Sequence, residues 1–450
     1  MARITGGTLV RGEPERVLQS VNPGYWQSIC HNQLFLVNRL VSWNKQMEAL
    51  KNNPPAAIIL PNELPLPPLP TRVAVIRVPR ASSAVWRLAL WNWKQMKVPV
   101  IGITGSTGKS TTTTMVDAIL KQTHRVVRTH GNLNTFFYLP TYLLRLSPAD
   151  DILLLEMGMS SLHNIARQCQ VVRPHVGVVT NVGEAHVGSL GGLDQVVRAK
   201  QEMIDGVRPG GILFLNADCS RSQQLSTRHF QGTICKFGID QPADIQGEEL
   251  QYTKEGMRFY ARVEGRRLPF RIPLFGEHNV SNALAAIGVV RSLGVPFPAI
   301  QRGLARMRPL HMRFQVIQGR QRRTLINDAW NASPSAMQEG LSVLKKIAGN
   351  QPAIAVLGDM HELGQYSRFA HTQIGKQAAS LNLDGLITFG SQAKAIASAA
   401  IANGLDSRQV THFTNRRALI RFLSQAPENA ILYFKASRKL HFERIVQRLT

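Results

Sequence analysis

The sharpest change of hydrophobic period along the chain falls between residues 98 and 120. Val98 to Ile103 is an apolar, β-branched run of strand length, Gly105 and Gly108 interrupt it, and Thr111 to Leu120 resumes at helical spacing. The pattern predicts a buried strand, a turn and a helix. In residues 1–97, short apolar stretches predict strands at Gln33–Val37, Ala56–Leu60 and Val73–Val78, with helices over Ser42–Asn52 and Ala81–Lys97. The five prolines between Pro61 and Pro70 predict a stiff connection inside that region. Further on, strands at Asp151–Leu155 and Val176–Thr180 are followed by helical stretches. Residues 311–450 repeat the alternation, with strands at Ala353–Leu357, Gly385–Phe389 and Ala430–Phe434 and helices over Ser335–Ile347, Ala370–Ser380 and Arg416–Ser424. Such alternation implies largely parallel sheets covered on both faces.

The turn at 104–111, Thr-Gly-Ser-Thr-Gly-Lys-Ser-Thr, carries the chemistry. Gly105 and Gly108 let the backbone around Ser106 and Thr107 bend its N–H groups toward an anion, and the helix that follows adds the positive end of its dipole. Lys109 reaches the outer phosphates of a nucleotide, Ser110 is placed to ligate magnesium, and Thr111 opens the helix. Ile103 stands where the strict phosphate-loop pattern has its first Gly, so the fit is to Thr-Gly-x-x-Gly-Lys-Ser-Thr. The expected fold is therefore α/β in three domains: a small α/β amino-terminal domain (1–97), a central P-loop mononucleotide-binding parallel sheet (98–310) and a Rossmann-like carboxyl-terminal domain (311–450). The last has no G-x-G-x-x-G, so a dinucleotide is not indicated.

Glu156 and His186 follow predicted strands, where open α/β sheets place their functional groups. A carboxylate there beside a phosphate loop suits magnesium. A lone His186 reads more often as structural, and only its place after a strand lifts it. On its own residues Lys200, within a predicted helix, reads as a solvated lysine. Asn279 and Asn282 lie three apart near a helix start, where paired amides either read a base edge or cap the helix.

Composition changes this picture little. The net charge of +25 is large, but it divides as +8, +7 and +10 over the three regions, with no long basic run, which argues against nucleic acid and for small polyanionic substrates. Cys30, Cys169, Cys219 and Cys235 form no C-x-x-C pair and are expected to be reduced, mostly buried thiols. There is no run of about eighteen apolar residues and no apolar leader, so a cytoplasmic monomer is expected.

With these pieces placed, the sequence resembles the Mur ligases. The resemblance rests on the phosphate loop, Gly-Asn-Leu-Asn (131–134), Glu-Met-Gly (156–158), His186, Ala-Lys-Gln-Glu (199–202) and His-Asn-Val-Ser-Asn-Ala-Leu-Ala-Ala (278–286). It continues through Asn-Asp-Ala-Trp-Asn-Ala-Ser-Pro (327–334), Gly-Asp-Met-His-Glu-Leu-Gly (358–364) and Lys-Ala-Ser-Arg (435–438). It implies an ATP-dependent carboxylate–amine ligase working through an acyl phosphate, with D-alanyl-D-alanine or a related amine joined to a UDP-muramoyl-peptide. By this resemblance the loop residues and Lys109 bind ATP, Ser110 and Glu156 hold one magnesium ion and His186 serves a second. Lys200 is implied to be carbamylated, Asn279 and Asn282 to lie near adenine, and Arg313 and Asp328 to reach the γ-phosphate and ribose. Two departures stand out. Tyr25-Trp26-Gln27 replaces the family's uridine-gripping Asp-Ser-Arg, and Thr135-Phe136-Phe137-Tyr138 follows the Gly-Asn-Leu-Asn motif. They leave open a related ligase with a different, non-UDP carboxylate acceptor; a nucleic-acid-binding ATPase is the further alternative.

Overall fold

The computed structural model describes all residues of the chain except Pro14, Arg16, Asn38, Arg39, Leu40 and His186, so the expectation for His186 lies outside the described residues. The chain packs as two compact units, residues 1–99 with 125–153, and residues 100–124 with 154–450.

The first unit is built on a sheet of β1 (Thr8–Arg11), β2 (Ser20–Asn22), β3 (Gln33–Leu36), β4 (Ala57–Pro61) and β5 (Ala74–Val78), in the order β1-β5-β4-β3-β2. Strands β2 to β5 pair in parallel and β1 adds antiparallel to β5. Helices α1 (Trp43–Asn52) and α2 (Ala81–Gln95) lie within two residues of expectation. Phe35, Leu50, Ile58, Val73 and Val75 are fully buried and form the centre of the core. Strands β1 and β2, absent from the sequence expectation, are three or four residues long and carry too few apolar positions to show a period.

The second unit contains β6 (Val100–Thr104), α3 (Lys109–Leu120), residues 154–156 of β7 (Ile152–Glu156), α4 (Asn164–Val172), β8 (Val176–Val179), α5 (Leu193–Gly206) and β9 (Gly211–Asn216). The sheet continues with β10 (Gly232–Gly238), β11 (Ile245–Thr253), β12 (Gly256–Val263) and β13 (Arg266–Ile272). These strands run β13-β12-β11-β10-β9-β8-β6-β7. Pairing is parallel from β6 through β8, β9 and β10 to β11, then turns antiparallel for β12 and β13, an extension that alternation of strand and helix does not anticipate. Because β6 lies between β7 and β8, the loop that leaves its carboxyl end emerges beside the ends of both neighbours.

Helices α6 (Glu277–Ser292) and α7 (Phe297–Arg306) precede the last sheet. Its strands are β14 (Gln315–Gln318), β15 (Thr324–Asn327), β16 (Ala353–Gly358), β17 (Gly385–Phe389), β18 (Val410–Phe413) and β19 (Ile431–Lys435). They run β14-β15-β19-β16-β17-β18, parallel except for β14. Period two divides their side chains between two cores. Ala355, Leu357, Leu386 and Tyr433 pack on one face with α8 (Pro334–Ala348), and Ile354, Val356, Ile387 and Phe434 pack on the other. Of the four thiols, all free, only Cys169 is buried; Cys30 is exposed and the other two are half-buried, so the expectation of mostly buried cysteines is corrected. Among the described residues no helix is long and apolar enough to cross a membrane.

Candidate active site

The loop after β6 is held from below by the segment after β8. Asn181 Oδ1 accepts from the backbone N–H of Ser106 at 3.1 Å and of Thr107 at 2.9 Å, while its Nδ2 donates to Thr107 Oγ1 at 2.7 Å. Thr180 Oγ1 donates to the Thr107 carbonyl at 2.6 Å, and Ser106 Oγ exchanges hydrogen bonds of 3.0 and 2.8 Å with the backbone of Gly183. Two amides of the loop are thus turned inward to hold its shape. The open donors for an anion are those of the first turn of α3, Lys109, Ser110 and Thr111, whose N–H groups have no partner within the helix. Both loop glycines are required. Gly105 has φ +150° and a Cβ there would lie 1.9 Å from Thr180 Oγ1; Gly108 has φ +80° and its Cβ would lie 2.3 Å from Asn282 Oδ1.

Four charged side chains from four elements meet around this loop. Lys109 Nζ donates back to the Gly105 carbonyl at 2.7 Å and the Ser106 carbonyl at 3.2 Å. Glu156, at the carboxyl end of β7, is 5% exposed. Lys200, in α5, is 1% exposed, and its amine reaches Thr104 Oγ1 at 3.2 Å and Met159 Sδ at 3.6 Å. The solvated lysine read from its local sequence is therefore a buried one. Burial pushes the Lys200 amine well below the ordinary lysine value, the Lys109 charge pushes it further, and Glu202 and Glu156 oppose the shift. Burial also lowers Lys109, with Glu156 raising it and Arg313 lowering it. Arg313, after α7, is lowered by burial and raised by Asp328 and Glu156. Glu156 thus faces the cationic Lys109 and Arg313, with the buried Lys200 amine beside them, an arrangement suited to a polyphosphate.

Beside the loop opens a cavity of about 540 Å³, of nucleotide size, lined by Thr107, Gly108 and Thr111, by Asn279 and Asn282 of α6, and by Arg313, Asp328 and Lys435. Asn279 Nδ2 donates to the Phe275 carbonyl at 2.7 Å. Asn282 Nδ2 donates to Asn279 Oδ1 at 3.3 Å, and Asn282 Oδ1 accepts from Thr112 Oγ1 at 3.3 Å. The two amides are linked to each other and to α3, so their orientation is fixed before anything binds. On the far wall Asp328, 9% exposed, accepts from the Phe314 amide at 3.1 Å, from Tyr433 Oη at 3.0 Å and from Lys435 Nζ at 2.5 Å. Burial raises the Tyr433 hydroxyl well above its usual value, and the Asp328 charge raises it further.

Of the expected residues, Thr107, Gly108, Thr111, Asn279, Asn282, Arg313 and Asp328 line the cavity; Lys109, Glu156 and Lys200 are gathered electrostatically at the loop. Gly105 and Ser106 are buried residues of the loop itself, and Ser110 lies half-buried in the first turn of α3. Sequence reasoning missed Asn181 and Lys435 as site residues. Both follow directly on a predicted strand. Glu202, quoted only as part of a motif, accepts from the N–H groups of His163, Ile165 and Ala166 at 2.6–3.1 Å and so caps α4.

Residues 103–290 match the Mur ligase middle domain, and residues 312–438 match the Mur ligase glutamate ligase domain. The UDP-N-acetylmuramoyl-tripeptide–D-alanyl-D-alanine ligase of Bacillus subtilis is 32% identical over 395 residues, covering 88% of this chain and 84% of that protein. The ligase of the same name from Escherichia coli is 31% identical over 372 residues, 81% of this chain and 80% of that one. The crystal structure of MurF from Acinetobacter baumannii superimposes with a TM-score of 0.85 at 26% identity, over 99% of this chain and 97% of that one.

Proposed function

From the premise that this chain belongs to the Mur ligase family, we propose that it is the ligase that joins D-alanyl-D-alanine to a UDP-N-acetylmuramoyl-tripeptide with hydrolysis of ATP. The observation that carries the reading within the structure is the meeting of Arg313, from the carboxyl-terminal half, with Lys109 and Glu156 at the phosphate loop. A protein that only binds nucleotide has no need of that arginine there.

The reaction transfers the γ-phosphoryl group to the tripeptide carboxylate, expelling ADP and giving an acyl phosphate. The dipeptide amine then attacks the acyl carbon and phosphate leaves. The first step brings two anions together, so its barrier falls when fixed cations flank the transferred group. Lys109 on the loop side and Arg313 on the opposite side fit those roles, with the open amides of α3 holding the phosphates. Asn279 and Asn282 would present fixed amides to the adenine, and Asp328, held by Lys435 and Tyr433, would face the ribose.

Magnesium fits the donor set. Ser110 and Glu156 supply one hydroxyl and one buried carboxylate, as expected of an ion that takes most of its ligands from phosphates and water. When bound, it would neutralise charge on the transferred group. Lys200 would serve as a ligand once carbamylated. Carbamate forms from a neutral amine, and burial of Lys200 lowers its proton affinity in the direction that favours that form. We assign a second ion to His186 on the family resemblance alone. The division at 97/98 and 310/311 into three functional domains belongs to the same reading, as does a cytoplasmic protein supplied with nucleotide-linked substrates. A monomer as the catalytic unit belongs to this reading as well.

The amino-terminal unit reaches the family outline with different residues. Asn22 pins the segment where the uridine grip is expected, its Nδ2 donating to the Tyr25 and Ser28 carbonyls at 3.1 Å and its Oδ1 accepting from the Tyr25 amide at 2.7 Å. Phosphate release from ATP should therefore be measured with UDP-muramoyl-tripeptide and D-alanyl-D-alanine, separately and together. Release that requires both, with the pentapeptide product seen by mass spectrometry, supports the proposal; ATP binding without turnover on that pair would overturn the assigned acceptor.

A further inference from the structure

A second cavity, of about 640 Å³, lies on the antiparallel extension of the central sheet, between β12, β13 and α7, and shares no lining residue with the nucleotide cavity. Its walls carry Arg258, Arg271, Arg302 and Arg306. The register places Arg258 directly opposite Arg271 across β12 and β13, and Arg302 and Arg306 are four apart on α7, one above the other. All four are exposed. Like charges directly opposed on a sheet, or at i and i+4 on a helix, destabilise the elements that carry them.

Three neighbouring arginines, Arg262, Arg267 and Arg291, are paired with acids and these four are not. Arg262 and Arg267 share Glu248 at 2.7 and 3.1 Å, Arg267 also takes Glu249 at 2.5 Å, and Arg291 takes Glu264 at 2.7 Å. Among the described residues, none of the four groove arginines has a carboxylate within ion-pair distance, and the one acid in the wall, Glu249, is the one held by Arg267. The chain therefore spends its local acids on the rim and leaves the groove positive.

We propose that this groove is a binding site for clustered phosphates, separate from the nucleotide site. Planar guanidinium groups make paired hydrogen bonds to phosphate oxygens, and four of them lining one groove match a ligand with at least two phosphate groups. The aromatic rings nearby give no platform for nucleobases. Phe259 and Phe270 are buried and stacked on each other at 5.8 Å, and the Tyr260 ring is covered by the Arg267 guanidinium at 3.7 Å. The same phosphate chemistry is offered by a free oligophosphate and by the headgroups of an anionic membrane.

The test uses the full chain with its nucleotide site saturated by magnesium and a non-hydrolysable ATP analogue. Inorganic tripolyphosphate is titrated calorimetrically, and sedimentation is measured with phosphatidylglycerol vesicles against phosphatidylcholine vesicles. Binding to either anionic probe, weakened about tenfold or more in Arg302→Gln/Arg306→Gln and in Arg258→Gln/Arg271→Gln, is the expected result. Which probe binds identifies the source of the phosphates. Melting temperatures of the variants should equal or exceed that of the parent, since like-charge repulsion is removed. Should one pair fail to fold, the other decides. Absence of binding to both probes at low salt, binding unchanged in the variants, or binding of single-stranded RNA alone would overturn the proposal.

Discussion

Lys200 makes the strongest demand of any residue in the site, because a buried amine beside Lys109 has every reason not to be protonated. Its folded-state pKa lies well below 10.5, whereas the unfolded value is the ordinary one. Between these two values the unfolded chain binds more protons than the folded one. The stability of the amine form therefore rises with pH across that window and is lowest beneath it. Every tenfold loss of proton affinity corresponds to about 1.4 kcal/mol, and each kcal/mol moves the melting point by about 2–4 °C for a cooperative unit of 150–250 residues. In carbon dioxide-depleted, magnesium-free buffer, Lys200→Met should be at least as stable as the parent at pH 7, because an apolar chain fills the same slot at no charging cost. The difference should shrink as pH approaches 10. Adding bicarbonate and magnesium should raise the parent's melting point and leave that of Lys200→Met unchanged. Phosphate release should fall by about 10²–10³-fold in Lys200→Ala, as for loss of a fixed electrostatic group at a transition state, and a short carboxylate should restore part of it there but not in Lys200→Met. A parent indifferent to bicarbonate, together with an active Lys200→Ala, would refute the carbamate.

Asn181→Ala should loosen the phosphate loop by removing acceptors for two amides, about 0.5–1.5 kcal/mol each. Steady-state kinetics should show a raised KM for ATP, of about tenfold, with the melting temperature lowered by a few degrees. Gly108→Ala places a Cβ against Asn282 at positive φ, at a cost of about 1–3 kcal/mol. Nucleotide titration should show weakened binding, partly recovered in Gly108→Ala/Asn282→Ala. Lys435→Met leaves Asp328 buried without its cation and should destabilise by about 3–5 kcal/mol in denaturant unfolding, with part of the loss returned by adding Asp328→Asn.

Much of the fold was legible because strands such as Ile152–Glu156 and Ala353–Gly358 are buried on both faces and read as continuous apolar runs. The antiparallel extension was passed over because it follows a different period. Met257, Phe259, Ala261 and Val263 are buried and alternate with Arg258, Tyr260 and Arg262. A scan for unbroken apolar runs passes over such a strand, since half of its residues face water.

The site divides along another line. Residues whose role lies in local backbone geometry, Gly105, Gly108 and Lys109, were visible as a short motif, since the loop must bend within six residues whatever surrounds it. Lys200 and Asn181 have roles set by what lies across the sheet. Lys200 sits at a helix position whose neighbours in sequence, Gln201 and Glu202, are half-buried, and only contact with Thr104, 96 residues away, turns its amine into a buried group. Asn181 becomes a clamp only through bonds spanning 74 and 75 residues. Burial of the lysine, and with it the lowered proton affinity that the proposed carbamate requires, is a property of packing. A helix lysine read alone looks solvated because most are, and the tertiary fold removes it from that class.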